Sequence, residues 1–241
     1  MGAAKNIELK PIPSRVAIDF VKKHHYSGKV AANSQLHIGV FYAGLLGGVM
    51  QFGPPIDRSK LIGLVRGSKT FNFLELNRMA FSDLLPRNSE SRAISVACKL
   101  IAKNAPQVKW VVSFADATQC GDGTIYRASG FLLTSIKESK NLASIPGLGV
   151  IHKLQLEANP NSPRKELGGR SYYDFTGGRY NWGEYIKHTK GRILPGFQIR
   201  YIKFIDPTWR DRLTVPVLPF SALDEVGARM YKGEKPQAQE V

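Results

Sequence analysis

The sequence predicts an α/β fold in which one mixed central sheet is flanked by helices. Helix-period and strand-period segments alternate along the first 160 residues, which is the pattern of a sheet covered by helices. The run VKWVVSFAD at 108–116 is continuously apolar at its centre, as a strand buried on both faces is. With 241 residues and 43% hydrophobic content, the chain can bury a core of that size.

The elements follow in order. Pro13 and Ser14 signal a helix start, and Val16, Ala17, Phe20, Val21 and His24 recur at helical spacing, so a helix is expected from Ser14, its N-cap, to about Tyr26. Gly28 is placed to stop it. QLHIGVFY and LGGVMQFG around a Gly-containing turn read as a hairpin. Residues 54–70 are rich in Gly, Pro and charge and read as a loop. FLELNRMAFS is a strand, in which strict alternation puts Glu75 and Arg78 on opposite faces. A second helix, capped by Asn88 or Ser89, runs to Asn104, with Ala93, Ile94, Ala97, Leu100 and Ile101 inward and Pro106 beyond its end. After the buried strand come a short helix in DGTIYRASG, the strand FLLTSI, a loop at 141–149 and a strand at IHKLQLE. This defines a core over 1–160. Residues 161–241 read as a basic, aromatic-rich C-terminal extension packed on it, with a polar end from Lys232.

The formal net charge is +15 and the sequence pI about 9.9. Such a chain attracts polyanions, nucleic acid first and an anionic membrane surface second. No apolar run is long enough to span a bilayer, and the N-terminal segment lacks the apolar core of a signal peptide, so a cytoplasmic protein is expected. Cys98 falls on the apolar helical pattern as a small core residue, and Cys98 with Cys120 makes no metal-type spacing. Between 161 and 212 there are eleven Lys/Arg against five Asp/Glu, interleaved with Tyr172, Tyr173, Tyr180, Trp182, Tyr185, Tyr201 and Trp209. Cations suit phosphate and aromatics suit unpaired bases, so Arg170, Arg179, Tyr180, Trp182 and Lys187 are the candidate DNA contacts. The same aromatics can instead complete the core.

Two motifs carry chemistry. The helix entry RNSESRA offers unpaired backbone N–H groups and flanking Arg87 and Arg92, a place for phosphate; Ser91 and Arg92 are the candidate cofactor-binding residues. In DGTIYRASGF, Tyr126 precedes a Gly-Phe pair after a buried strand. This resembles the GNAT acyltransferases, in which a tyrosine so placed faces the acetyl-CoA thioester and can protonate the leaving thiolate. RNSESRA departs from that family's phosphate loop in having no glycine.

The blocks VKKHHYSGK, HIGVFYAGLLGGVMQFGPP, ELNRMAFSD, SESRAISVACKLI and VVSFADATQCGDGTIYRASGF, in this order, resemble the phage Mom family, a divergent GNAT-like group. They span most of residues 21–131. The resemblance implies an enzyme that adds a carbamoylmethyl (acetamido) group to the exocyclic N6 amine of adenine in double-stranded DNA. The modification shields phage DNA from host restriction enzymes, in the host cytoplasm. It implies catalytic roles for His25, Tyr26, Ser27, Arg78, Asp116 and Tyr126, and acetyl-CoA or a related donor, or iron held by His25, Tyr26 and Asp116. Read without the family, His25 is equally a partly buried structural histidine and Asp116 a turn-forming residue at a strand exit. Two other functions fit the sequence: an N-acetyltransferase for a protein or small amine, and a non-catalytic DNA-binding protein on a degenerate acyltransferase fold.

Overall fold

A computed structural model describes residues 2–118 and 121–229. Strands β1 (Glu8–Pro11), β2 (Leu36–Tyr42), β3 (Leu45–Gly53), β4 (Phe73–Phe81), β5 (Trp110–Asp116), β6 (Leu132–Ile145), β7 (Gly149–His152) and β8 (Arg192–Phe204) form one sheet. Its order is β1-β2-β3-β4-β5-β8-β6-β7. All neighbours are antiparallel except β4 and β5, so the expected mixed sheet is present.

Helix α1 (Ser14–His24) begins with Pro13 at the N-cap and Ser14 already helical, and it ends one residue before His25. Residues 54–70 hold a short helix, α2 (Arg58–Ile62), inside the expected loop. Helix α3 (Ser89–Asn104) has the expected bounds, and α4 (Thr124–Ala128) carries Tyr126. One face of the sheet is covered by α1, whose Ala17 and Val21 pack on Val49 and Ala80, and by α2, packed on Phe73, Trp110 and Val112. The other face is covered by α3 and α4, against Phe52, Leu76, Val111 and Ala115. Cys98 is buried there, and burial pushes its thiol up to about 11, which makes it inert.

The second half of the chain differs from expectation. β6 continues to Ile145 and β7 begins at Gly149, so the expected loop at 141–149 narrows to a hairpin turn, and IHKLQLE splits into the end of β7 and helix α5 (Lys153–Glu157). Residues 192–204, expected in an extension outside the core, form β8 between β5 and β6, with Ile199, Tyr201 and Ile202 fully buried. Helices α6 (Tyr172–Thr176) and α7 (Trp182–His188) close a separate apolar cluster with Ala143, Ile145, Ile151 and Leu156. A short helix α8 (Ala222–Glu225) follows. Cys120 and the tail from Lys232 lie outside the described residues.

Candidate active site at the parting of β4 and β5

β4 and β5 pair over three positions only, Phe73↔Trp110, Leu74↔Val111 and Glu75↔Val112. Beyond them β4 continues on β3 alone and β5 on β8 alone, so the two strands part and leave an opening in the sheet. Carboxyl ends of parallel strands at such a point are where α/β folds bind ligands.

On the α3 side, Ser113 Oγ lies 3.2 Å from the Leu76 carbonyl and 2.8 Å from the Tyr126 hydroxyl. Tyr126, 9% exposed, is thus held at the base of the opening. Beyond it, Arg87, Asn88, Ser91, Arg92 and Ser95 at the start of α3 join Lys5 and Ser129 around a concavity of about 390 Å³. Ser91 and Arg92, the candidate cofactor-binding residues, both line it. Lys5, on a 3-10 turn over Ala3–Asn6, joins them unforeseen, because nothing local to it signals a site. Three cations and a helix N-terminus fit the phosphates of a nucleotide-type donor. On α3 the small groups lining the concavity are Ser91 and Ser95 rather than glycines.

On the α1 side the groups differ in kind. The pairs Gln51↔Arg78 and Gly53↔Glu75 show that Arg78 and Glu75 share a face. A β-bulge at Gln51/Phe52 resets the alternation, so the opposite placement expected of them is corrected. That face is the one holding α1, since Val49 and Ala80 lie next along the same row. Asp116 is there too, by alternation with Trp110 and Val112. Arg78 donates from Nε to the Lys29 carbonyl at 3.0 Å and from one Nη to the Asn77 carbonyl at 2.7 Å. It thereby ties the turn after α1 to β4.

That turn carries His25, Tyr26 and Ser27. Burial, and then the charge of Arg78, lower the His25 pKa to about 4, so the ring is neutral near pH 7. The Ser27 amide donates to Nδ1 at 3.2 Å, which leaves the ring proton on Nε2, and Ser27 Oγ is 2.8 Å from the same nitrogen. His25 accordingly presents a donor at Nε2. Tyr26 is 53% exposed, its ring 4.3 Å from that of His25. Burial raises the Glu75 carboxyl, against Arg78 and an Asn77 hydrogen bond that lower it. Asp116 accepts from the Thr118 amide through Oδ1 at 2.9 Å.

A histidine that the sequence does not single out belongs here. His152 caps α5, its Nδ1 accepting from the Leu154 amide at 3.1 Å. Burial lowers its pKa; Asp116 and Glu157 oppose the shift, and Arg78 adds to it. Its place in an apparent strand interior hides it. Arg78 is thus felt at His25, Glu75 and His152, and Asp116 at His152.

The structure adds no support to the implied iron site. Among the described residues no three His, Cys, Asp or Glu side chains gather to hold an ion, and backbone amides already engage His25 Nδ1 and Asp116 Oδ1.

The C-terminal candidates divide. Tyr172, Tyr185 and Tyr201 are buried in the core. Trp182, expected as a ring free to meet a base, donates its indole N–H to the Lys140 carbonyl at 2.9 Å and stacks on Tyr185. Tyr180 is 61% exposed, and Arg179 and Lys187 are exposed. Arg170 lies over the Phe175 ring at 4.0 Å.

Fold and site together define an α/β protein with a two-sided opening in its sheet, a cationic concavity on one side and a histidine-carboxylate-arginine group on the other. The chain belongs to the Mom protein family, whose profile matches residues 6–222. It is 34% identical over 219 residues to the methylcarbamoylase mom of Escherichia phage Mu, covering 87% of this chain and 80% of that protein. Solved structures similar in outline include a GNAT family acetyltransferase from Elizabethkingia anophelis with acetyl-CoA bound (TM-score 0.42, 15% identity, 83% of this chain and 98% of that one). Another is the ribosomal-protein-S18-alanine N-acetyltransferase of Escherichia coli (TM-score 0.41, 10% identity, 83% and 94%). At this overlap they bear on neither ligand nor reaction.

Proposed function

We propose that this protein is a transferase that adds a carbamoylmethyl group to the N6 amine of adenine in double-stranded DNA and so protects phage DNA from restriction in the host cytoplasm. The observation that carries the reading is the parting of β4 and β5, with a cationic concavity at the start of α3 on one face and the His25, Arg78 and Asp116 group on the other, an arrangement suited to bringing an anionic donor and a base together. Family membership, the similarity to a methylcarbamoylase and the +15 charge support the choice of group and of DNA. Among the described residues no helix is long and apolar enough to cross a membrane.

In the reaction the N6–C bond forms while the transferred carbon's bond to its leaving group breaks, and one N6 proton passes to a base. N6 is a poor nucleophile within a base pair, so the adenine must leave the stack. Lys5, Arg87, Ser91 and Arg92 would hold the phosphates of a CoA-like donor. The acetyl group of acetyl-CoA carries no amide nitrogen, so the transferred group would come from a related donor that bears –CH2–C(O)NH2 on its leaving group. Asp116 takes the N6 proton. His25 Nε2–H donates to the base and Arg78 holds the His25–Ser27 turn in place. Tyr126 donates to the departing group from the floor of the opening. Tyr26 and Tyr180 offer exposed rings for stacking, and Arg170, Arg179 and Lys187 offer phosphate contacts.

The test is nucleoside mass spectrometry of DNA from cells producing the protein. Deoxyadenosine heavier by one carbamoylmethyl group, in DNA newly resistant to restriction enzymes, is expected. An acetyl increment on a protein or small amine, with unmodified DNA, marks an N-acetyltransferase instead.

A further inference from the structure

Gln51 is 1% exposed, yet its Oε1 has no hydrogen-bond partner among the described residues. A buried amide oxygen left unpaired is costly, and native proteins keep few of them. The Gln51 Nε2 lies 3.0 Å from Nδ1 of His37, a ring that burial keeps neutral, and Nδ1 accepts from the amide when the ring proton is on Nε2. In that arrangement the oxygen points away from His37.

The register shows where Gln51 stands. His37, Gln51 and Arg78 are direct partners across β2, β3 and β4 and form one row on the α1 face. Direct partners have neighbouring side chains. The row lies one step past Val49 and Ala80, which α1 covers, and under the segment from the end of α1 to Ser34. Asn33 closes that segment onto Pro54, and Arg78 onto Lys29. Arg78 spends Nε and one Nη on carbonyls, and its other Nη has no such bond among the described residues. An acceptor without a partner thus stands beside a donor with N–H to spare.

We infer that Gln51 and Arg78 form a recognition pair for an amide-like edge, an amino group next to an acceptor, with Gln51 Oε1 receiving the amino hydrogen and Arg78 donating to the acceptor. Two sources present that edge. Adenine offers N6–H beside N7, and a carboxamide offers N–H beside C=O. The inference rests on the function proposed above for the identity of these sources, and it makes Gln51 a specificity residue of the same site. His37 acts through Gln51, by fixing which way the amide faces.

Gln51→Met keeps the side chain's length and removes both polar atoms, and Gln51→Leu serves if the methionine variant fails to accumulate. The thermal midpoint should change little, since removal of an unpaired oxygen offsets the lost hydrogen bond to His37. The modified fraction of deoxyadenosine should fall about tenfold or more, the loss of a hydrogen bond and of the discrimination it gives. Modification at the wild-type level by a stable variant overturns the inference and leaves Gln51 a polar group satisfied by water alone.

The second arm measures binding of purified protein to duplexes with one unpaired adenine or one unpaired purine, which lacks the C6 amine. A wild-type preference of about threefold or more for adenine, lost in Gln51→Met, identifies the base as the source. Equal binding by both proteins, with modification lost, identifies the carboxamide. Wild-type protein that leaves DNA unmodified defeats the functional reading, and the base arm alone then decides the pair: a Gln51-dependent adenine preference upholds it, and none overturns it.

Discussion

The two faces of the sheet at the β4–β5 opening are built from different chemistry. The α3 face gathers Lys5, Arg87 and Arg92 with small hydroxyls and a helix N-terminus, and among the described residues no carboxylate lines its concavity. The α1 face mixes one arginine with Glu75, Asp116, His25 and His152, and burial holds both imidazoles below their ordinary pKa. A face of fixed positive charge binds an anion and does little else. A face whose groups are neutral or acidic can accept and donate protons near pH 7. Under the proposed function, binding of the donor falls to one side and handling of the amine to the other, with Tyr126 between them.

That division can be broken at either face. The largest effect is expected from Asp116→Asn, which keeps the Oδ1 that accepts from Thr118 and removes the charge. Modification should fall by about a hundredfold or more, the scale of a lost general base, with little change in melting temperature. Tyr126→Phe should cost about tenfold in modification. It should also cost about 1 kcal/mol of stability, since the hydroxyl bonded to Ser113 goes, as a denaturant titration would show. On the other face, Arg87→Ala with Arg92→Ala should weaken donor binding about tenfold or more while DNA affinity changes far less; opposite results would exchange the roles of the faces.

Two smaller effects sharpen the picture. Replacing Arg170, Arg179 and Lys187 together with Ala should flatten the dependence of log affinity on log salt by roughly 2 to 3, near 0.9 for each phosphate that is no longer neutralised. An unchanged slope places the DNA surface elsewhere, on the loop bearing Arg58, Lys60, Arg66 and Lys69. The last concerns pH. Folded His25 titrates at about 4 and an unfolded histidine near 6.5, so between those values only the unfolded chain takes up the proton. Stability is therefore complete above about 6.5 and is lost as pH falls toward 4. His152 pulls in the same direction. Urea unfolding at pH 7 and pH 5 should show a smaller difference for His25→Gln than for the wild type.

Legibility in the sequence followed the same physical lines. β4, α3 and β5 were readable because period and burial agree in FLELNRMAF, SESRAISVACKLI and WVVSFAD. So were the basic helix entry and Tyr126. β8 was not, because Pro195 and Gly196 interrupt RILPGFQIRYIKF as a loop would. In the fold, Pro195 falls in the register break between Gly196↔Ser139 and Leu194↔Leu142, where no ladder bond is needed. Gly196 is required because any Cβ there would strike Thr118 beside Asp116. Glu75 joined Arg78 only through a bulge, which no alternation rule reveals. His152 and Gln51 sit in apolar-looking strand segments, and what distinguishes them is the partner each meets or lacks across the sheet.

The division of roles between the two faces is tested most directly by the modified fraction of deoxyadenosine in DNA from cells holding matched amounts of wild-type, Asp116→Asn or Arg87→Ala/Arg92→Ala protein. We predict extensive carbamoylmethylation by the wild type, a fall of about a hundredfold or more for the first variant, and about tenfold or more for the second. Unmodified DNA from the wild type, or wild-type levels from both variants, would contradict it.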